Sequence, residues 1–146
     1  RQKAIFINYN IDDQDFVTKT KNNDSGLFLS ETEKDRYTKK INQYMDAGKP
    51  YLNPDLSLPQ LASELNIPSH HLSKVINDHF GMNFFEYINQ YRIDEVKKKM
   101  TDPETANLSL LGIAYECGFN SKSAFNRVFK KITNMTPSEF KKTTTN

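Results

Sequence analysis

The chain has 146 residues, 36% hydrophobic and 26% charged, with 20 Lys and Arg against 18 Asp and Glu. That length allows one ordinary domain with an arm, or two very small domains, and the balance suits a small, largely helical fold. Nothing approaches the ~18 apolar residues of a membrane span, no signal-peptide pattern opens the chain, and a net charge of +2 is too small to argue for nucleic acid by itself.

The opening Arg1, in place of Met, leads us to expect a piece of a longer protein. Residues 1–29 carry a short apolar stretch (Ile5, Phe6, Ile7, Tyr9, Ile11) and then a polar run from Asp12 to Gly26, which reads as a flexible arm or linker. A helix is predicted from Ser30, because Ser30 and Glu33 have the spacing of a capping box in which each side chain satisfies a free backbone N–H. Tyr37, Ile41, Tyr44 and Met45 then share one face, and Gly48 and Pro50 should end the helix. This extra helix, over 30–50, serves as a brace on the domain C-terminal to it or as a coupling or dimer surface; the residues leave both open.

From Asp55 the chain repeats itself. Asp55-Leu56-Ser57-Leu58-Pro59-Gln60-Leu61-Ala62 aligns with Asn107-Leu108-Ser109-Leu110-Leu111-Gly112-Ile113-Ala114, 52 positions later. Ser57 and Ser109 stand where N-caps belong. Each copy is followed by a turn (Leu65-Asn66-Ile67-Pro68-Ser69; Cys117-Gly118-Phe119-Asn120-Ser121) and then by a helix with an apolar stripe. The stripes are Leu72, Val75, Ile76 and Phe80 in the first, and Phe125, Val128, Phe129 and Ile132 in the second. Ser69 and Ser121 should cap these helices, and Gly118 suits a turn needing positive φ. Short helix, tight turn, second helix is the helix-turn-helix pattern, and it occurs twice.

Between the copies lies an amphipathic helix, roughly Asn83 to Met100, capped by Asn83, with Phe84, Ile88, Ile93, Val96 and Met100 inward and Lys97-Lys98-Lys99 at its negative dipole end. Eighteen residues make a rod of ~27 Å. Thr101-Asp102-Pro103 should stop it, and Thr136-Pro137-Ser138-Glu139 opens a last short helix with another capping box. The expected fold is all-α: two helix-turn-helix subdomains (51–82 and 103–146) joined by a linker helix (83–102). The sequence from Cys117 onward has six Lys or Arg against the single acid Glu139, a basic cluster suited either to a phosphate backbone or to solvent. Cys117 itself reads as a small core residue.

With this arrangement the chain resembles the DNA-binding domain of the bacterial AraC/XylS transcription regulators, from about Leu56 to Lys142. The resemblance rests on Leu61-Ala62 through Leu72-Ser73, on Tyr87-Ile88-Asn89-Gln90-Tyr91-Arg92-Ile93, and on Ile113-Ala114 followed by Gly118-Phe119-Asn120-Ser121. Phe125-Asn126-Arg127-Val128-Phe129-Lys130-Lys131 and Thr136-Pro137-Ser138-Glu139-Phe140 complete it. Many members carry Gly-Xaa-Ser or Gly-Xaa-Thr where this chain has Thr133-Asn134-Met135-Thr136; Asn134 can adopt the same left-handed conformation. Tyr37 through Tyr51-Leu52-Asn53-Pro54 also looks like a subgroup whose upstream portion is a sensor, often embedded in the inner membrane.

The resemblance implies sequence-specific binding of promoter or operator DNA, with base readers at His70, Ser73 and Lys74 in the first unit and at Lys122 and Ser123 in the second. Arg127 has the chemistry to pair bidentately with guanine and Asn126 with adenine. Lys130, Lys131, Asn77 and the serines Ser57, Ser69, Ser109 and Ser121 suit phosphates, which fix register without reading sequence. Two such helices on one rod suggest successive major grooves, about 34 Å apart, with bending closing any mismatch at ~1–6 kcal/mol. RNA polymerase, a sensor portion of the same protein and a homodimer of the full-length chain are the further partners expected. The domain itself is expected in the cytoplasm, with any inner-membrane anchor upstream. No cofactor or metal is implied: His71 and His79 lie ~12 Å apart along a helix, too far to share an ion. An enzyme is disfavoured, with no Gly-rich phosphate loop and no H-E-x-x-H motif. A helical protein-interaction module that lost DNA binding is the stronger rival, opposed by the outward Lys122, Asn126 and Arg127. Lys97-Lys98-Lys99 reads equally as a solvated helix end or a phosphate contact.

Overall fold

A computed structural model describes residues 28–144. The arm expected over 1–29 lies, apart from Phe28 and Leu29, outside the described residues. Among the described residues every regular element is helical. In chain order these are α1 (Glu31–Gly48), α2 (Leu58–Leu65), α3 (Ser69–Val75), α4 (Phe84–Met100), α5 (Leu110–Glu116), α6 (Lys122–Thr133) and α7 (Pro137–Thr144). Tight 3-10 turns occur at Pro50–Leu52 and Pro103–Thr105, and a π turn, Ile76–Phe80, continues α3. None of these helices is long and apolar enough to cross a membrane.

The described residues fall into two compact units. The first holds α1, α2, α3 and the opening of α4 to Tyr87; the second holds Lys49–Leu56 and the chain from Ile88 onward.

In the first unit the Ser30 capping box forms: the Glu33 N–H donates to Ser30 Oγ at 3.2 Å, and the Ser30 N–H to Glu33 Oε1 at 3.3 Å. Ile41 and Met45 are wholly buried, while Tyr37 and Tyr44 are half-buried at the edge of that stripe. The Tyr44 hydroxyl donates to Glu64 Oε1 on α2 at 2.6 Å, and this bond raises its pKa. Leu61, Ala62 and Leu65 of α2 pack with Leu72, Val75 and Ile76, all within 2% of full burial. Each large apolar side chain so buried contributes about 1.5–3 kcal/mol. Asn83 and Glu86 form a capping box at the start of α4. One helix end differs from expectation. Gly48 remains helical, and the left-handed residue after α1 is Lys49, at φ 45°. Pro50 disfavours the right-handed helical region at its predecessor, so the helix stops before Lys49.

The second unit is built on aromatic rings. Phe119, Phe125, Phe129 and Phe140 follow one another at centroid distances of 5.3, 5.7 and 5.5 Å. Tilted and edge-on packing of this kind adds to what their burial alone contributes. Ile93, Val96, Ile113, Ala114 and Cys117 complete the core. Met100 and Ile132, expected inside, are only half-buried. Burial pushes the Cys117 thiol up to about 12, so it stays protonated and serves as a small apolar group. The Lys49–Leu56 segment is fastened by Arg92 of α4, which donates from Nε to the Tyr51 carbonyl oxygen at 2.7 Å and from a terminal nitrogen to that of Asn53 at 2.9 Å.

Candidate nucleic-acid interface

The second helix of each pair, α3 or α6, is set by the turn before it, and both turns close in one way. The Ile67 N–H donates to the Ala62 carbonyl at 3.0 Å, and the Phe119 N–H to the Ala114 carbonyl at 3.1 Å. These six-to-one bonds need a left-handed residue between helix and turn. Asn66 supplies it at φ 57° and Gly118 at φ 102°. The requirement at Gly118 is legible in the sequence; that at Asn66 rests on asparagine being the next residue after glycine to tolerate the conformation.

The caps divide the serines. Ser57 accepts from the Gln60 N–H at 3.3 Å, Ser109 from the Gly112 N–H at 2.9 Å and Ser121 from the Ala124 N–H at 3.1 Å. Ser69 caps nothing: it is the first helical residue of α3, and the cap position is Pro68. The cause is the shorter first turn. Counting back from Leu72 and Phe125, Ser69 corresponds to Lys122, and Pro68 to Ser121.

In α6, Phe125, Val128 and Phe129 are buried. Lys122, Ser123, Asn126, Lys130 and Lys131 are exposed, and Arg127 is half-exposed. Their spacing puts them on one face, with four basic residues and no acid in the helix. The helix ends on Asn134 in the left-handed conformation, φ 64°, as expected from its place in the final turn.

In α3 the picture is less uniform. His70 is exposed, Ser69 and Lys74 are half-exposed, and Asn77, in the π turn that continues the helix, is exposed. Ser73, expected outward, is 6% exposed. Helices α1 and α2 both pack on α3, so its apolar face is wider than the Leu72, Val75 and Ile76 stripe alone suggested. Lys74 Nζ lies 3.3 Å from Asp78 Oδ2, and the same oxygen lies 3.5 Å from Lys34 Nζ of α1. The His71 ring packs against Tyr37 of α1, centroids 6.0 Å apart.

Lys97 and Lys99 have protein partners. Lys97 Nζ stands 5.6 Å from the centre of the Phe140 ring, and Lys99 Nζ 3.7 Å from Glu116 Oε1; Lys98 is exposed. Among the described residues no three His, Cys, Asp or Glu side chains gather as metal ligands would.

Residues 61–143 match the family described as a helix-turn-helix domain. The probable transcription factor PqrA of Proteus vulgaris is 30% identical over 89 residues, covering 61% of this chain and 70% of PqrA. An uncharacterized HTH-type transcriptional regulator of Staphylococcus aureus (strain COL) is 31% identical over 102 residues, 70% of this chain but 13% of that protein. The chain thus matches only a small part of such longer relatives. Among solved structures, the C-terminal domain of AraT, a response regulator from Geobacillus stearothermophilus, superposes with a TM-score of 0.62 at 25% identity, over 72% of this chain and 83% of that one. The C-terminal domain of the two-component response regulator yesN from Fusobacterium nucleatum gives 0.59 at 25% identity, over 73% and 98%.

Proposed function

The chain belongs to the AraC-type helix-turn-helix family of DNA-binding transcription regulators, and we propose that it reads duplex DNA with two helices, α3 and α6, in successive major grooves. The observation that carries this is α6, whose exposed side presents Lys122, Ser123, Asn126, Arg127, Lys130 and Lys131 while its aromatic side is buried. Such a helix fits a major groove, with early outward residues against base edges and later cations against phosphates.

The roles follow from side-chain chemistry. Arg127 donates its planar fork to guanine O6 and N7, and Asn126 pairs with adenine N6 and N7. Lys122 and Ser123 read the bases nearest the helix N-terminus. Lys130 and Lys131 grip phosphates. Ser57, Ser109 and Ser121 use their oxygens to accept cap bonds, which leaves each hydroxyl hydrogen for a phosphate oxygen. In α3, His70 and Lys74 read bases, with Ser69 and, in the π turn that follows, Asn77 on phosphates; Ser73, being buried, contributes least.

The working division is a brace over 30–50, a first reader over 51–82, a linker helix over 83–102 and a second reader over 103–146. A sensor upstream in the same protein, with or without an inner-membrane anchor, would govern a domain acting on promoters in the cytoplasm. RNA polymerase and a second copy of the full-length protein are the partners that such an output domain would meet.

Selection of bound sequences from a random duplex library tests the reading. Two enriched half-sites about one helical turn apart, not related as a palindrome, are expected for one chain carrying two different readers. A single enriched half-site would overturn the claim that both helices read bases, and no enrichment would overturn sequence-specific reading altogether.

A further inference from the structure

The two recognition helices differ most at one position. Fifty-three residues separate Leu72 from Phe125, and the same step pairs Lys74 with Arg127 and Asp78 with Lys131. Where α6 carries a cation, the first unit carries a carboxylate. From Ser69 to Phe80 the only Lys or Arg is Lys74 and the only acid is Asp78, whereas α6 has four cations and no acid.

Asp78 stands within a chain of four charged residues. One of its oxygens lies 3.3 Å from Lys74 Nζ and 3.5 Å from Lys34 Nζ, and Lys34 Nζ lies 3.6 Å from Glu31 on its own helix. The side chains of Lys74 and Lys34 are 20% and 27% exposed, and that of Asp78 is 40% exposed, so this charged cluster sits at the rim of the unit and not in its core. Local backbone supports the arrangement. At Ile76 the helix widens into a π turn through Phe80, while α6 stays regular through Thr133. A wider turn takes more residues per revolution, which brings a residue four places along more nearly into line with the first.

We propose that Asp78 is a positioning residue that holds Lys74 and cancels its charge, so that the first unit grips DNA weakly and reads it mainly through His70. The inference rests on the DNA reading above. A carboxylate near the phosphate backbone opposes binding, and a lysine already paired with it displaces fewer counterions from DNA than a solvated one. The electrostatic affinity of the chain therefore resides in the second unit. Lys34 makes α1 part of the same cluster, so loss of the Lys34 contact leaves Asp78 to Lys74 alone and tightens the restraint.

The test is the salt dependence of binding to a labelled duplex, for the whole 146-residue chain and its Asp78→Asn and Asp78→Glu variants. Asp78→Asn is expected to bind about three- to tenfold more tightly near physiological salt, with the slope of log affinity against log salt steeper by about one. Asp78→Glu should retain the wild-type slope, and adding Lys74→Ala to Asp78→Asn should remove the part of the gain that comes from the released lysine; a gain undiminished by Lys74→Ala overturns the assignment of Lys74 as the group Asp78 holds. An Asp78→Asn slope equal to wild type overturns the proposal, whatever happens to its melting temperature. Because the slope is read on any duplex that binds, the two ideas fail separately. A wild type without sequence preference overturns the two-helix reading and leaves the Asp78 measurement valid; a wild type that binds no duplex overturns both.

Discussion

Gly118 and Arg92 meet so closely that no side chain fits between them: a Cβ on Gly118 would stand 2.6 Å from Arg92 Nε and 2.3 Å from the Tyr51 carbonyl oxygen. The second turn, the linker helix and the Lys49–Leu56 segment thus converge on one glycine, which also holds φ 102°. Gly118→Ala combines a left-handed penalty with a clash against a hydrogen-bonded arginine and a backbone oxygen. We expect a loss of roughly 3–5 kcal/mol in urea denaturation. Gly81 is the control. It too has positive φ, 68°, but nothing lies within 4 Å of its absent Cβ. Gly81→Ala should therefore lose only about 1–2 kcal/mol. Equal losses would contradict the packing account.

Arg92 should be as sensitive, for a different reason. It is 9% exposed and donates to the carbonyls of Tyr51 and Asn53, with its guanidinium carbon 6.0 Å from the centre of the Phe119 ring. Truncation to alanine leaves two carbonyls short of a charged donor, at about 1.5–3 kcal/mol for each such bond. A chemical-denaturation midpoint that falls with an unchanged m-value is expected; no change would mean that the segment is held by other contacts. Arg92→Lys should recover only part of the loss, because an ammonium is a point donor and lacks the fork.

Much of this was legible in the sequence because helices announce their ends and faces locally. The capping boxes at Ser30 and Thr136, the caps at Asn83, Ser57, Ser109 and Ser121, and the left-handed Gly118 and Asn134 all follow from side chains within a few residues of the backbone they serve. What failed depended on distant packing or on the length of a turn. Ser73 is buried because α1, more than twenty residues earlier, also covers α3. Ser69 is not a cap because the first turn is one residue shorter than the second. The tie of Asp78 to Lys34, and of Arg92 to Tyr51 and Asn53, joins residues about forty apart, which no periodicity reveals.

The serines offer a direct comparison. Ser57→Ala, Ser109→Ala and Ser121→Ala should each lower stability by about 1 kcal/mol, since each hydroxyl satisfies a first-turn N–H. Ser69→Ala should leave the melting temperature almost unchanged. A loss at Ser69 equal to that at Ser121 would contradict the assignment of Pro68 as the cap.

Alkaline pH should weaken the second unit. Burial raises the Cys117 thiol to about 12, and burial together with the nearby Glu95 raises the Tyr51 hydroxyl above its ordinary value. Both groups stay protonated in the folded chain over a range where the unfolded chain ionises, from ~8.5 for a thiol and ~10 for a phenol. Their contribution is fully present below those values and is lost as pH rises through the folded ones. The denaturation midpoint should therefore fall progressively above about pH 8.5, and Cys117→Ala should flatten that fall. An unaltered alkaline slope in the variant would exclude Cys117 as a source.

Base reading by α6, as proposed above, is decided by an equilibrium titration of wild type and Arg127→Ala on the selected duplex and on every single-base-pair change within it. Arg127→Ala is expected to lose about 1–3 kcal/mol on the selected site and to become indifferent to substitution at one guanine position, while its preferences in the other half-site persist. Uniform weakening across all sequences, with discrimination at every position intact, would contradict it and make Arg127 a phosphate contact.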